Sequence, residues 1–297
     1  MASSEAPSEA PHQARAHPPL PGGLSAADRG AVRIVSAGHA VFAGILIAIG
    51  LWGLFSGQFV GIWGSVPRGM PAREAFAYAC AVLSVACGIG VLWTRAAAPA
   101  ARVLLAASLL WLVLIKLPYI LRSPAVAVFY ESWGESAVVA AGAWALYTRL
   151  AAGWDRRWLG SLAADRGVRL ARILFGLALV AFGLSHFAYV QLTASLVPRW
   201  LPAHLAWAYF TGSAYLAAGA AVLTGICAPL AAMLAAVQMG VFTLLVWVPA
   251  VASGGASRGQ WSELAVSAAL AAGGWLVAES YRGRRWLAVG RSLGRAA

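Results

Sequence analysis

Few side chains in this sequence can do chemistry, and those that can stand in or beside long apolar stretches. They are His186, Lys116, Tyr209, Tyr78, Glu263 and Glu135. An ionisable side chain at membrane depth costs about 2.5–3.5 kcal/mol on insertion scales, so each one in such a stretch is a candidate ligand or proton site by default. Metal chemistry is not expected. Cys80, Cys87 and Cys227 form no Cys-x-x-Cys pair, which argues against a thiolate-held metal, a thiol relay or a disulfide framework. A haem would want two histidines at matched depth, and His39 lies at the opposite end of its segment from His186. No catalytic residue is established by the sequence.

Each candidate carries two readings. His186 either hydrogen-bonds a backbone carbonyl of its own helix or binds a ligand and exchanges protons. Lys116 either snorkels to the nearer interface or faces a site. Ser132-Trp133-Gly134-Glu135 matches a capping box, and Glu263 would favour a helix N-terminus through the dipole. Tyr78 and Tyr209 fit an aromatic interfacial belt or a cavity wall. Pro118 and Pro249 kink their helices and free the carbonyls four residues earlier, at Leu114 and Leu245.

The elements that position these residues are membrane helices. The chain is 61% hydrophobic and 11% charged, with a mean hydropathy of +0.75, where a soluble domain carries about a quarter charged residues. Runs near the roughly 20 residues needed to span a bilayer recur along it, and backbone in lipid must pair internally. The expected fold is an all-α polytopic bundle with eight transmembrane helices at 34–55, 74–94, 101–121, 133–148, 170–193, 204–225, 229–251 and 262–280. Pro71, Pro202 and Pro229 fall where a helix start tolerates a missing N–H.

Residues 1–31 read as a disordered tail, rich in Ala, Ser and Pro. Residues 149–169 form a basic linker in which Trp154, Trp158, Leu159 and Leu162 alternate with arginines, the pattern of an amphipathic interfacial helix or of a plain topology anchor. The basic tail 281–297 reads the same way, through Trp286, Leu287, Val289 and Leu293. The net charge of +12 comes from 21 arginines and one lysine gathered in loops and tails. That placement points to orientation and membrane lipids as partners, not to nucleic acid. Sixteen arginines fall on one side and five on the other, which places both termini and the linker in the cytoplasm of a cell (inner) membrane protein. Lys116 then lies in the outer half of the bilayer, about 9 Å below its helix end. His186, both tyrosines and both glutamates share that layer.

The two halves echo each other. Val66-Pro67-Arg68 and Val197-Pro198-Arg199 are 131 residues apart, as are Pro71 and Pro202, Tyr78 and Tyr209, Gly88 and Gly219, and Pro118 and Pro249. Residues 32–148 and 170–280 therefore read as two four-helix repeats. An even number of spans makes them parallel. In this alignment, with a slip of one residue, Ser56 stands in the place of His186, and Trp247 stands in that of Lys116.

The motifs Gly183-Leu-Ser-His-Phe187, Val197-Pro-Arg-Trp-Leu-Pro202 and Tyr209-Phe-Thr-Gly-Ser-Ala-Tyr-Leu-Ala-Ala-Gly219 give 170–280 a resemblance to the DoxX-like integral membrane proteins. Residues 33–148 resemble a diverged second copy without the histidine. The resemblance implies an accessory or quinone-interacting subunit of a membrane redox system. His186 would then meet a quinone-like head group, with redox-complex subunits as partners. A transporter or lipid-handling protein for a small lipophilic solute, and a non-catalytic scaffold, are the alternatives.

Overall fold

In the computed structural model, which describes residues 31–67 and 69–288, helices account for nearly all the ordered structure. The tail read as disordered (up to residue 30) and the stretch from residue 289 onward lie outside the described residues. Helix α1 covers Ala37–Ser56. Its start is capped by Ser36, whose side chain accepts from the His39 amide, and its end by Gly57 at φ 61°. α2 covers Arg73–Leu92 and α3 Ala97–Arg122. α4 covers Ala127–Leu150, and α5 is a short linker helix at Gly153–Leu159. α6 covers Asp165–Ala188, α7 Val190–Leu196 and α8 His204–Thr224. α9 covers Ala228–Ala252 and α10 Arg258–Glu279.

Six of these, α1, α2, α3, α6, α9 and α10, are long and apolar enough to cross a membrane. The protein is therefore a helical membrane protein. α4 and α8, of 24 and 21 residues, are of spanning length but are not among those six.

Several boundaries differ from those expected. α4 begins at Ala127, six residues before the expected 133, because the chain turns in only four residues after Arg122. Ser132 and Glu135 are thus inside the helix and cap nothing. α10 begins at Arg258, where Ser257 and Gln260 form the capping box: Gln260 N–H donates to Ser257 Oγ (3.2 Å) and Ser257 N–H to Gln260 Oε1 (2.9 Å). Glu263 is a turn further in. The linker is not one amphipathic helix; α5 gives way to a 3-10 turn at Gly160–Ala163, with Gly160 at φ 49°.

Pro118 and Pro249 do not break α3 and α9. Each helix widens into a π turn just before its proline, at Leu112–Lys116 and Thr243–Trp247. The Leu117 amide reaches back to Leu112 O and the Val248 amide to Thr243 O. One extra residue per turn absorbs the missing N–H and rotates the following side chains by about 100°.

The long helices form a closed ring. α1 packs on α2, α2 on α3 and α3 on α4; α4 packs on α6, α6 on α8, α8 on α9, α9 on α10, and α10 returns to α1. α4 thus lies against α6 and α10 against α1, and α4 and α10 also cross in the middle. Two glycines set that crossing. A Cβ on Gly142 would sit 2.6 Å from Gly273 Cα, and one on Gly273 would sit 3.0 Å from Val138 O. Without a side chain between them the backbones touch, and the flanking Ala137–Ala141 and Ala269–Ala272 faces close over the contact.

Polar locks close the linker end of the ring. Arg149 of α4 pairs with Glu279 of α10 (2.7 Å) and donates to Val35 O ahead of α1 (3.2 Å). Arg172 of α6 donates to Ser280 Oγ (3.0 Å) and covers the Tyr281 ring at 3.8 Å. Asp155 of α5 is buried and accepts from Arg102 and Tyr147 (2.9 Å each) and from the Ala152 amide (3.1 Å). The linker is thereby pinned to α3 and α4, while Trp154 and Trp158 stay exposed.

The glycine contact predicts that Gly142→Ala lowers thermal stability in detergent by about 1–3 kcal/mol, the usual cost of overpacking. Gly240, where an added methyl group would meet nothing within 4 Å, serves as the control: Gly240→Ala should be neutral or stabilising by up to about 1 kcal/mol.

Candidate functional site

Lys116 is the last residue of the first π turn, and the rotation produced by that turn aims its side chain inward. It is 3% exposed. Its Nζ donates to Ser132 Oγ on α4 (2.6 Å) and to Ser65 Oγ (3.0 Å), and the two hydroxyls are themselves 3.0 Å apart. Ser65 reaches this position from a left-handed backbone, φ 69°. A non-glycine residue held there costs about 1–3 kcal/mol and has to be fixed by its surroundings; here the surroundings are an ammonium and a second hydroxyl.

This triad lines a half-open cavity of about 340 Å³ at the end of the bundle opposite the linker, whose other walls are Val66, Pro67, Tyr119 and Phe129. Tyr119 and Phe129 pack against each other with centroids 5.3 Å apart. The cavity combines apolar and aromatic walls with one cluster of donors, the usual make-up of a small-molecule site, and its volume is at the lower end of the common range.

The charge around it is anchored on α4 and α10. Lys116 forms no ion pair within 4.0 Å among the described residues. Glu135, one turn beyond Ser132, is the carboxylate within electrostatic range of it. Glu131 and Glu263 are in turn within range of Glu135. Glu135 and Glu131 are half-buried, and Glu263 is exposed at the first turns of α10.

The other expected residues stand apart from the cavity. His186 is half-buried near the end of α6. Its Nδ1 is 2.8 Å from Phe182 O, and its ring meets the Tyr215 edge at 5.3 Å. A Cβ on Gly212 of α8 would sit 2.9 Å from His186 Cβ, so the histidine fills a gap that glycine leaves open. Tyr209 is exposed and packs on Phe187 (5.9 Å). Tyr78 is exposed, with its hydroxyl near Gly57. Of the six, the structure brings Lys116, Glu135 and Glu263 into one electrostatic neighbourhood. His186, Tyr78 and Tyr209 lie on the surfaces between helices α6–α8 and α1–α2.

Sequence reasoning missed Ser65, Tyr119, Phe129 and Glu131, and read Ser132 as a cap. The available signal was the isolated Gly64-Ser65 before Val66-Pro67, and the Glu131-Ser132-x-x-Glu135 spacing, which puts all three on one side of a helix once the helix starts early enough.

A family model described as a domain of unknown function, DUF8561, matches residues 175–281, from the middle of α6 to just past α10. No curated protein and no solved structure matches the chain.

A buried ammonium is expected to be tolerated for its binding role and not for stability. Replacing the ammonium together with its neighbouring carboxyl, Lys116→Met with Glu135→Leu, should therefore leave the melting temperature unchanged or raise it, as replacing a buried pair by apolar volume commonly does. Ser132→Ala, which leaves the ammonium short of a partner, should destabilise by about 1–3 kcal/mol. Thermal unfolding in detergent measures both.

Proposed function

We propose that this chain is an inner-membrane protein of the DoxX-like type that holds the head group of a small amphiphile in the Lys116 cavity, and that it serves as an accessory or quinone-interacting subunit of a membrane redox system. The observation that carries this reading is the Lys116–Ser65–Ser132 donor cluster, buried in an otherwise apolar bundle and facing an aromatic-walled space. A quinone ring offers a flat body for Tyr119 and Phe129 and carbonyl oxygens that accept from the ammonium and hydroxyls. His186 would act from the neighbouring α6–α8 surface.

The architecture in this proposal is eight spans in two parallel four-helix repeats. The two π turns, Leu112–Lys116 and Thr243–Trp247, support it by standing 131 residues apart. So do the left-handed residues Ala72 and Ala203, and the crossing glycines Gly142 and Gly273. The first helices keep a different offset. Gly50 meets Ala81 and Val85 as Gly183 meets Gly212 and Leu216, which is 133 residues for the first helix and 131 for its partner. On that register the counterpart of His186 is Gly53, which faces Ala81, and not Ser56.

A transport role for a small lipophilic solute has one observation in its favour. The cavity is open at one end of the bundle, while Arg149–Glu279 and Arg102–Asp155 close the other. Both readings place the cavity on the outer face and both termini in the cytoplasm.

Two measurements test the proposal. Single cysteines at Ser123 and Ser161, in a background with Cys80, Cys87 and Cys227 replaced, should react with an impermeant maleimide from outside and only after permeabilisation, respectively; the reverse pattern overturns the orientation. For the function, protein purified in native lipid discs should carry a quinone or comparable lipophile detectable by mass spectrometry, reduced at least about tenfold in Lys116→Met. Equal retention by both proteins would contradict the cavity assignment. Solute flux in proteoliposomes without electron transfer would favour transport.

A further inference from the structure

The linker does not stand off the end of the bundle; it folds back along it. Asp155 of α5 meets Arg102, five residues inside the start of α3, and Tyr147, three residues before the end of α4. In the turn that follows, Leu162 O accepts from Trp144 Nε1 (3.2 Å), six residues inside the end of α4. Gly167 of α6 leaves no room for a Cβ between itself and Leu162 O, so this turn is pressed against the helices. At 1.5 Å per residue the three anchors lie about 5–9 Å inside the helix ends.

That depth places the linker among lipid head groups. α3 has 26 residues, about 39 Å of helix against a hydrocarbon core of about 30 Å. Its first turns therefore stand in the head-group layer, and α5 lies beside them. The side chains that α5 shows to this layer are of two kinds. Trp154 and Trp158 are 56% and 69% exposed, with ring centroids 6.5 Å apart. Arg156 and Arg157 between them are exposed as well. Asp155, the acid of this helix, is turned inward and neutralised by Arg102 (2.9 Å), whose guanidinium also lies over the Trp154 ring at 4.3 Å. Of the other acids described at this end, Glu279 is held by Arg149 and Arg282, and Asp165 is followed directly by Arg166.

The outer face of α5 thus carries two indoles and two cations and no acid. Indoles settle at the boundary between acyl chains and head groups, and guanidinium groups bind phosphate through paired N–H donors. We infer that α5 is a docking site for anionic phospholipid, with Arg156 and Arg157 on the lipid phosphates and Trp154 and Trp158 against the glycerol and upper acyl chain. A plain topology anchor would hold the chain in place without distinguishing one head group from another. The inference is independent of what the Lys116 cavity holds and of which leaflet the linker faces.

The test uses the full chain in nanodiscs of phosphatidylcholine with trace amounts of two photo-reactive lipids. These carry the same acyl chains and a diazirine near the glycerol, with a phosphatidylglycerol head in one and a phosphatidylcholine head in the other. Cross-linked peptides covering residues 150–166 report the occupant of α5. In the wild type the phosphatidylglycerol probe should label them about tenfold more than the phosphatidylcholine probe, the scale of two arginines near a lipid surface. Arg156→Gln with Arg157→Gln should bring that ratio to within about twofold of one. Trp154→Ser with Trp158→Ser should lower labelling by both probes and keep their ratio. On unaltered protein, excess unlabelled phosphatidylglycerol should suppress the labelling and excess phosphatidylcholine should not.

Equal labelling of the wild type by the two probes overturns the inference and leaves a plain anchor. A preference that survives loss of both arginines overturns it too, because the selectivity would then belong to other residues at this end. Labelling unchanged by loss of both tryptophans removes them from the site. No labelling of these peptides by either probe means that α5 faces water or a protein partner, which also contradicts it.

Discussion

The contact between Gly142 and Gly273 is the constraint on which the rest of this structure depends. It brings α4 and α10 to backbone distance, and in a membrane, where apolar surface is not driven together by water, close approach of small residues is a main source of helix association. Once α4 and α10 cross there, α4 is committed to α6 and α10 to α1. The ring then closes without any helix needing a partner outside it. The arrangement also explains the polar locks at the linker end. Arg149 and Glu279 end the two crossing helices, so a crossing that holds the middle also brings those ends within 2.7 Å.

The same crossing builds the cavity. α4 is held between α3 and α6, and the π turn in α3 rotates Lys116 towards it, so the ammonium meets Ser132 and not lipid. The strained Ser65 completes the cluster from the loop between α1 and α2. An apolar core would be easier to build, and a charge here is retained against its desolvation. That is the physical reason for reading the cluster as a site.

Much of the helical plan was legible in the sequence, because it rests on local signals. Hydrophobic runs of spanning length, Pro71 and Pro202 before helix starts, and paired Pro118 and Pro249 all report on nearby backbone. The early start of α4 was not legible: Ala127–Trp133 mixes Tyr130, Glu131 and Ser132 among apolar residues, and a hydropathy reading discards them although they continue a helix. The site was half legible. Lys116, Glu135 and Glu263 stand out by being ionisable in apolar surroundings. Ser65 does not, because its role depends on a backbone conformation and on a contact 51 residues away. His186 drew attention as a lone histidine. The fold gives it a carbonyl from its own helix and a glycine-lined gap on α8, which no local pattern encodes.

What occupies the Lys116 cavity when the protein is in its own membrane decides whether the donor cluster is a head-group site. A cryo-electron microscopy reconstruction of the full chain in native lipid discs tests this most directly. The expected result is non-protein density between Tyr119, Phe129 and Pro67, with its polar end within hydrogen-bond distance of Lys116 Nζ. A cavity filled only by water, or by an acyl tail with no polar atom near the ammonium, would contradict it.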